Sequence, residues 1–490
     1  MNEAGAHLAV AMPLPSWRVR PAFLFLITTE LVWILLFGLI HEPWILIGIT
    51  ATTIAGFFIL VDPRAVLFAV PMVTFLFPGR IIGEEFIANF WGMNLYLMDW
   101  LLIFALLSAT LHLGFGESLH VPWSPLLPVL LVFFGALVVA AVNGLMQGNE
   151  FRNVFADLRL FFYYTGFLLV LLFARSFRDL EGILWSMIVF GTLGAIPEIV
   201  QSVSGSSYDR LIGQYLPFVR IKGFHEVNYP VQFVASIALF PFVGTASKRT
   251  MLAASILISS AALFLSYTRG SWVAAAGGIV FITGALFLFA PSVKRAAVML
   301  VLGLVGGALI LVFLEYFGLF SIGAMISRSS MTTSSQIDVS SLARLTEWAE
   351  VLGRYAEKPL LGLGLGTIFS FYVIGLGQVE QIYVHNSYLY VLSKMGIAGF
   401  LPFVAILITA LVLAMRSLRR TVIPLERGTI IAFAAILVTL MVKAATTWHL
   451  NTLTSSLFVG VVFGAIASSH RWLADRRTAQ PGNRNPSPHV

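Results

Sequence analysis

His385 stands where a long polar stretch of the chain meets an apolar run, and it is the first candidate for chemistry. Histidine is the side chain best suited to taking a proton near neutral pH. Asn386 follows it and is expected to orient the ring, and Lys394 lies further along the same run as a supporting cation. Gly396 and Gly399 permit a helix break or a close approach between helices. A helix cap or a structural hydrogen bond is the alternative role for His385.

Arg269 lies between two apolar runs that are separated by almost no loop. The planar fork of a guanidinium donates two parallel hydrogen bonds, which match the oxygens of a phosphate group. The alternative is an arginine whose stem crosses apolar surface while its charge reaches the membrane interface. Arg269 is therefore a candidate phosphate ligand.

Three further cations lie in polar stretches of the chain. Arg220 and Lys222 precede Gly223, where two positive charges beside a glycine could approach a second phosphate. A solvated loop cluster is the alternative for this pair. Arg344 either helps to bind phosphate or pairs with Glu347 three residues further along a helix.

Residues 359–366 contain a Gly-x-Gly-x-Gly run. No strand–helix unit surrounds it, so a dinucleotide site is not indicated. We expect a turn here, with a tight backbone segment near a phosphate as the alternative. The sequence also has no His-Glu-x-x-His motif, no cluster of ligand histidines and no Gly-x-Ser-x-Gly elbow. We therefore expect neither a metal nor a cofactor.

The composition identifies the elements that must position these residues. Of 490 residues, 58% are hydrophobic and 11% are charged, and there is no cysteine. The mean hydropathy is +0.90, and apolar runs long enough to cross a bilayer recur along the chain. This indicates a polytopic membrane protein and excludes a soluble enzyme, a disordered chain and a nucleic-acid binder.

The apolar runs predict an all-α membrane bundle that forms a single domain over residues 1–490. The third and eighth of fourteen candidate helices are short, so the number of spans is about 12–14. The candidates lie near 22–40, 44–61, 65–77, 96–114, 125–143, 158–174, 183–203, 231–245, 250–268, 271–290, 296–317, 387–414, 428–446 and 452–468.

Positive residues concentrate in alternate loops, which predicts that both termini are cytoplasmic. The long loops 144–157, 203–230 and 318–384 then face outward, and 469–490 forms a short flexible cytoplasmic tail. The 318–384 loop is too long to be only a connector. Its apolar residues at helical spacing predict an amphipathic helix, capped by Ser340 or Ser341, on the membrane or across the mouth of the bundle. These residues are Leu342, Leu345, Trp348, Leu352 and Tyr355.

Three segments, taken in order over about residues 215–415, resemble the O-antigen ligase and polymerase superfamily of bacterial envelope enzymes. The first segment holds Arg220, Gly223, Phe224 and Asn228. The second holds Ser266, Thr268, Arg269 and Gly270. The third runs from Arg344 through Trp348, Pro359, Gly362 and Gly364 to His385, Asn386 and Gly396.

The resemblance implies a membrane glycosyltransferase of the C-type class in the bacterial inner membrane, with a periplasmic active site. Its partners would be a glycan donor linked to undecaprenyl pyrophosphate, a glycan or lipid A–core acceptor, and membrane lipids. His385 would be the base. Arg220 and Arg269 would bind the pyrophosphate, with Lys222 and Arg344 as helpers, in an inverting displacement without a metal.

The acceptor stays open between lipopolysaccharide ligation, glycan polymerisation and protein glycosylation. The alternative from another class is a flippase or exporter of lipid-linked glycans. Such a transporter is expected to show two related halves, and no internal repeat is visible in this sequence.

Chelation by EDTA is expected to leave glycan transfer unchanged, because arginine and lysine side chains supply the positive charge that a metal would otherwise provide. The measurement is the transfer rate of purified protein with and without EDTA. Loss of transfer with EDTA, followed by recovery on addition of Mg²⁺, would contradict this expectation.

Overall fold

The computed structural model describes residues 56, 59, 62–76, 88–90, 93–114, 122–203, 228–266, 268–289, 339–373, 377–452 and 455–478. The predicted spans 22–40 and 296–317, and all but two residues of 44–61, lie outside the described residues. Arg220 and Lys222 lie outside them as well.

The described chain is predominantly helical, with two short hairpins. Its elements are α1 (Ala65–Leu76), β1 (Ala88–Phe90), β2 (Met93–Leu95), α2 (Leu97–Gly114), α3 (Leu126–Met146), α4 (Phe151–Phe162), α5 (Gly166–Phe173), α6 (Phe177–Val203), α7 (Asn228–Leu239), α8 (Ala246–Leu265), α9 (Arg269–Phe289), α10 (Val339–Glu357), β3 (Phe369–Val373), β4 (Gly377–Gln381), α11 (Ser387–Leu418), α12 (Pro424–Ala444) and α13 (Ser456–Thr478). Three-residue 3₁₀ helices follow α4, α7 and α12.

Eight helical segments within the described ranges are long and apolar enough to cross a membrane, with α4 and α5 counted as one. A helix can cross hydrocarbon because it satisfies its backbone hydrogen bonds internally. The eleven predicted spans between 65 and 468 that fall on described residues all appear as helices. The protein is therefore an all-α polytopic membrane bundle.

The prediction of a long loop over residues 144–157 is wrong. Helix α3 continues to Met146 and α4 begins at Phe151. Asp157, the last residue of the predicted loop, is buried within α4 and is hydrogen-bonded there. Arg159 of α4 forms an ion pair with Asp99 at 3.3 Å. The Tyr163 hydroxyl donates to the same carboxylate at 2.5 Å, so polar residues are tolerated within a helix here.

Helix α12 forms the centre of the bundle, where it contacts α7, α9, α11 and α13. Its most apolar stretch is 72% buried, and that of α13 is 78% buried. Its last turn carries Lys443, which is fully buried. The ends of α7, α9, α11 and α13 that lie beside this last turn are therefore close together.

The 318–384 loop contains the predicted helix, α10, and an antiparallel hairpin that the sequence did not predict. The hairpin pairs Phe369 with Gln381 and Val373 with Gly377. Helix α10 packs on β3 and on the start of α11. It begins at Val339, so the predicted caps at residues 340 and 341 lie inside its first turn.

The predicted apolar stripe of α10 is only partly buried. Leu345 and Leu352 are 58% and 44% exposed, whereas Trp348 packs against the core. Glu347 and Val351, one turn apart, face the protein and are almost completely buried. The most buried side of the helix therefore lies beside the predicted stripe and includes a carboxylate.

A buried carboxylate, Asp157 of α4, joins three parts of the chain. Its oxygens accept hydrogen bonds from the Tyr390 hydroxyl, from Lys394 Nζ at 2.5 Å and from the Gly366 amide at 2.6 Å. Lys394 is fully buried. This pair fixes the first turns of α11 against α4 and the glycine-rich segment.

The glycine-rich segment is a buried turn that packs against the break in α11. Gly396 has φ 63° and ψ −169°, which interrupts the helix, one of the two alternatives that its glycine allowed. The amides of Leu363 and Gly364 donate to backbone carbonyls of α11, and that of Leu365 donates to α3, at 2.8–3.0 Å. A Cβ at Gly364 would lie 2.3 Å from the backbone of Gly144. The turn interpretation fits, because these amides already have protein partners.

Lys394→Ala is expected to destabilise the protein by about 3–5 kcal/mol, because it leaves the Asp157 carboxylate buried without its cation. The measurement is the apparent melting temperature in detergent. Arg416→Ala, which removes an exposed arginine of the same helix, serves as the control and is expected to change stability by less than about 0.5 kcal/mol. Equal melting temperatures for the two variants would contradict the structural role of Lys394.

Candidate functional site

His385 is held by a carboxylate that lies 38 residues earlier in the chain. Its Nδ1 lies 3.0 Å from Oε2 of Glu347, and its backbone amide donates to Oε1 at 2.9 Å. Gln381 of β4 also donates to Oε1, at 2.6 Å. The Glu347 carboxylate is 1% exposed, whereas the His385 side chain is 34% exposed. The carboxylate is thus buried behind a histidine that remains accessible.

This contact determines which imidazole nitrogen can accept a proton. An ionised carboxylate only accepts hydrogen bonds, so Nδ1 of His385 carries the hydrogen and Nε2 carries the lone pair. The pairing of an accessible imidazole with a buried carboxylate is the arrangement of a general base with its orienting group. Glu347 can also stabilise the imidazolium that forms when the base takes a proton.

Asn386 does not orient the histidine through its side chain. Its Oδ1 accepts hydrogen bonds from the amides of Tyr388 and Leu389, at 3.0 and 3.1 Å. Asn386 is therefore the N-cap of α11, and it fixes where the helix begins. The orienting group is Glu347, which the sequence suggested only as a partner for Arg344.

Two aromatic rings lie beside His385. The ring of Tyr383 meets His385 edge-on at 5.3 Å and stacks on Trp448 at 4.1 Å. Burial and the nearby charge of Glu347 raise the pKa of Tyr383 above its ordinary value. The phenol therefore stays neutral near pH 7 and can take part in hydrogen bonds.

The start of α11 is anchored on the turn that follows α12. The amide and hydroxyl of Ser387 both donate to the Thr447 carbonyl at 3.2 Å, and the Leu450 amide donates to the Ser387 hydroxyl at 3.3 Å. These bonds fix the residues next to His385 against residues 447–450. The position of His385 therefore depends on the end of α12.

Arg269 lies where the start of α9 meets the same turn. It is the first residue of α9 and is half-buried. Two residues later, the Ser271 hydroxyl accepts a hydrogen bond from Lys443 Nζ at 2.5 Å. A Cβ on Gly270 would lie 2.5 Å from the Thr446 hydroxyl, so glycine is needed where α9 meets this turn. The structure thus brings Arg269, Lys443 and the His385 segment to one end of α12.

His449 adds a second imidazole to this region. It lies on the 3₁₀ turn after α12. Burial and the nearby charges of Lys443 and His385 hold the pKa of His449 well below its ordinary value. Its Nδ1 is buried and has no hydrogen-bond partner among the residues that the structure describes. His449 is therefore neutral near pH 7.

Arg344 and Lys394 are the other predicted site residues within the described ranges. Arg344 lies on α10, three residues before Glu347, and is half-buried. Lys394 lies in the buried pair with Asp157 and acts there on the fold. Across the described ranges, no three histidine, aspartate or glutamate side chains group as a metal site.

Glu347 and Lys443 are two charged residues of the candidate site that the sequence analysis did not assign to it. Lys443 had a usable signal, since a lysine within an apolar span is costly in hydrocarbon and marks a polar cavity. Glu347 had none, because its contact with His385 depends on how α10 folds back onto α11.

Residues 254–404 match a protein-family model described as O-antigen ligase. The resemblance to the O-antigen ligase superfamily is confirmed. No curated protein matches the chain. The matched segment includes Arg269, Glu347 and His385, and it ends before Lys443. It supports glycan transfer of the O-antigen ligase and polymerase kind in general terms, by a multi-pass membrane protein with lipid-linked glycan and acceptor partners.

Glu347→Gln is expected to lower glycan transfer by about 10²-fold or more, and His385→Ala by about 10²–10⁴-fold, with the protein still folded. The amide of glutamine can donate to Nδ1 and thereby favour the wrong tautomer, and it cannot stabilise the imidazolium. The measurement is the transfer rate of purified protein at equal amounts.

Glu357→Gln is the matched control, since Glu357 is exposed at the end of the same helix. It is expected to transfer glycan at the wild-type rate. A Glu347→Gln variant within about twofold of the control would remove Glu347 from the role of orienting group.

Proposed function

We propose that this protein transfers a glycan from undecaprenyl pyrophosphate to the hydroxyl of an acceptor sugar. The observation that carries the proposal is the hydrogen bond between buried Glu347 and Nδ1 of His385. It prepares Nε2 as a base in a segment that matches the O-antigen ligase family.

In the proposed reaction His385 Nε2 takes the proton of the acceptor hydroxyl. The oxygen attacks the anomeric carbon of the donor sugar, and the bond from that carbon to the pyrophosphate oxygen breaks. The pyrophosphate leaves with the electron pair, and the proton remains on the imidazolium beside Glu347. General-base catalysis of this kind contributes typically about 10²–10⁴-fold.

Positive charge at the end of α12 supports the assignment of the leaving-group site. Arg269 stands at the first turn of α9, where the helix dipole is positive. Lys443 lies within hydrogen-bond distance of Ser271 in the same turn. Fixed positive groups of this kind stabilise charge that develops on a departing diphosphate. Arg220, Lys222 and Arg344 are proposed as further ligands of the pyrophosphate.

Glu347 is a carboxylate partner of the base, which sequence reasoning did not foresee. It is nevertheless not available as a nucleophile, because both oxygens approach His385 and Oε1 also accepts from Gln381. A retaining mechanism needs a second carboxylate free to attack the sugar. The geometry therefore supports one inverting displacement, and the cations support a reaction without a metal.

The location of the site supports a periplasmic active centre in the inner membrane. The turn after α12 and the starts of α9 and α11 meet at one end of the bundle. Basic residues in the described ranges collect in the short connections at the other end of the spans, as expected for a cytoplasmic face. Among them are Arg64, Arg175, Lys248, Arg249 and Arg476. Both termini are then proposed to be cytoplasmic, and the acceptor is a glycan or a lipid A–core.

Arg269→Lys tests the leaving-group site directly. Lysine keeps the charge but loses the bidentate fork, so glycan transfer is expected to fall more than about tenfold, from the loss of roughly 1.5–3 kcal/mol. An arginine that only reaches the membrane interface would tolerate lysine. A rate within about twofold of wild type would therefore remove Arg269 from the site.

The assay uses detergent-purified protein with a lipid-linked glycan donor, so it also separates transfer from transport. Detergent micelles have no two sides, and only bond formation is detected. If wild-type protein forms no glycosidic bond with any lipid-linked donor, the proposed function is wrong.

A further inference from the structure

A groove of about 750 Å³ lies between helix α10 and strand β3, outside the contacts that hold His385. Its volume falls in the range of small-molecule sites, about 300–1,000 Å³. The residues that line it are Leu342, Ala343, Thr346, Ala349, Glu350, Ser370, Phe371 and Tyr372. Nothing in the reaction proposed above uses this groove.

The lining combines an accessible aromatic ring with a few polar groups. Tyr372 is 65% exposed, whereas Phe371 beside it is 8% exposed and forms part of the floor. The Thr346 and Ser370 hydroxyls and the Glu350 carboxylate border the same space. Alanines 343 and 349 keep the helix side of the groove shallow.

This chemistry fits a sugar ring better than the other molecules at a membrane surface. A pyranose presents C–H groups on its faces and hydroxyls around its edge, so it can cover an aromatic ring while its hydroxyls bind a carboxylate and neighbouring hydroxyls. The Glu350 carboxylate disfavours a phosphate or an anionic lipid headgroup. The Thr346 hydroxyl donates to the Ala343 carbonyl and the Ser370 hydroxyl accepts from Gln378. The Glu350 carboxylate is therefore the polar group of the lining that an acyl chain would separate from water.

The groove and the base share their supporting elements. Helix α10 supplies Glu347 to His385 and, on its adjacent faces, Thr346 and Glu350 to the groove. The hairpin supplies Gln381 to the Glu347 carboxylate and Tyr372 to the groove. A glycan that rests in the groove is therefore held by the same two elements that position the base.

We propose that this groove is a saccharide subsite, which holds a sugar unit of the glycan substrate at a distance from the reacting carbon. The proposal deepens the glycan-transfer function proposed above and rests on it for the identity of the glycan. Tyr372 provides the stacking surface, and Glu350 accepts hydrogen bonds from sugar hydroxyls.

The test is glycan binding, which needs no turnover. Full-length protein in detergent is applied to an array of bacterial O-antigen and lipid A–core oligosaccharides, and the Kd of each captured glycan is measured by biolayer interferometry. Tyr372→Ala and Glu350→Gln are each expected to weaken binding at least tenfold. Leu352→Ala and Glu357→Gln, which change α10 outside the groove, are expected to bind as wild type.

Transfer assays on the same preparations separate this proposal from the proposed function. If Tyr372→Ala weakens glycan binding while wild-type protein transfers nothing, the saccharide subsite is supported and the proposed transfer function is contradicted. If wild type transfers glycan while both groove variants keep its Kd, the groove proposal is overturned.

Two further outcomes would also overturn the saccharide subsite. One is that wild-type protein captures no glycan from the array. The other is that native mass spectrometry shows the groove variants losing a bound phospholipid while their glycan binding is unchanged.

Discussion

The burial of Asp157 is the constraint on which the arrangement of the matched segment depends. A carboxylate inside a membrane bundle is costly unless its oxygens are neutralised and hydrogen-bonded. These partners are Lys394 and Tyr390 of α11 and the Gly366 amide of the glycine-rich turn. Both segments are far from α4 in the sequence. Satisfying one buried charge therefore fixes α4, the glycine-rich turn and the start of α11 together.

Glu347, beside His385, is a second buried carboxylate whose oxygens must be hydrogen-bonded. Glu347 is buried to 1% exposure, and its donors are Gln381, the backbone of His385 and the imidazole itself. Because the carboxylate must be satisfied, the histidine ring is held in one orientation with Nδ1 inward. A requirement of stability thus also orients the proposed base, and the long loop contributes to the candidate site.

Helix α12 sets the relation between the base and the cations. Its last residues receive the start of α11 through Ser387 and Thr447, and the start of α9 through Ser271 and Lys443. A glycine at 270 allows the second approach, since a side chain there would meet Thr446. His385 and Arg269 lie at two helix starts that are far apart in sequence, and both starts are held by the end of α12 and the turn that follows it.

The sequence by itself determined the membrane bundle and the approximate places of its described spans, because these depend on local hydrophobicity. It offered a break at Gly396 as one of two alternatives, because that depends on one residue's backbone freedom. It also identified His385 and Arg269 as candidates from their residue types and positions. Only the tertiary structure decided their partners. Glu347 lies 38 residues from His385, and Ser271 lies 172 residues from Lys443. Contacts over such separations leave no local pattern, since they follow from how buried polar groups find each other when the helices pack.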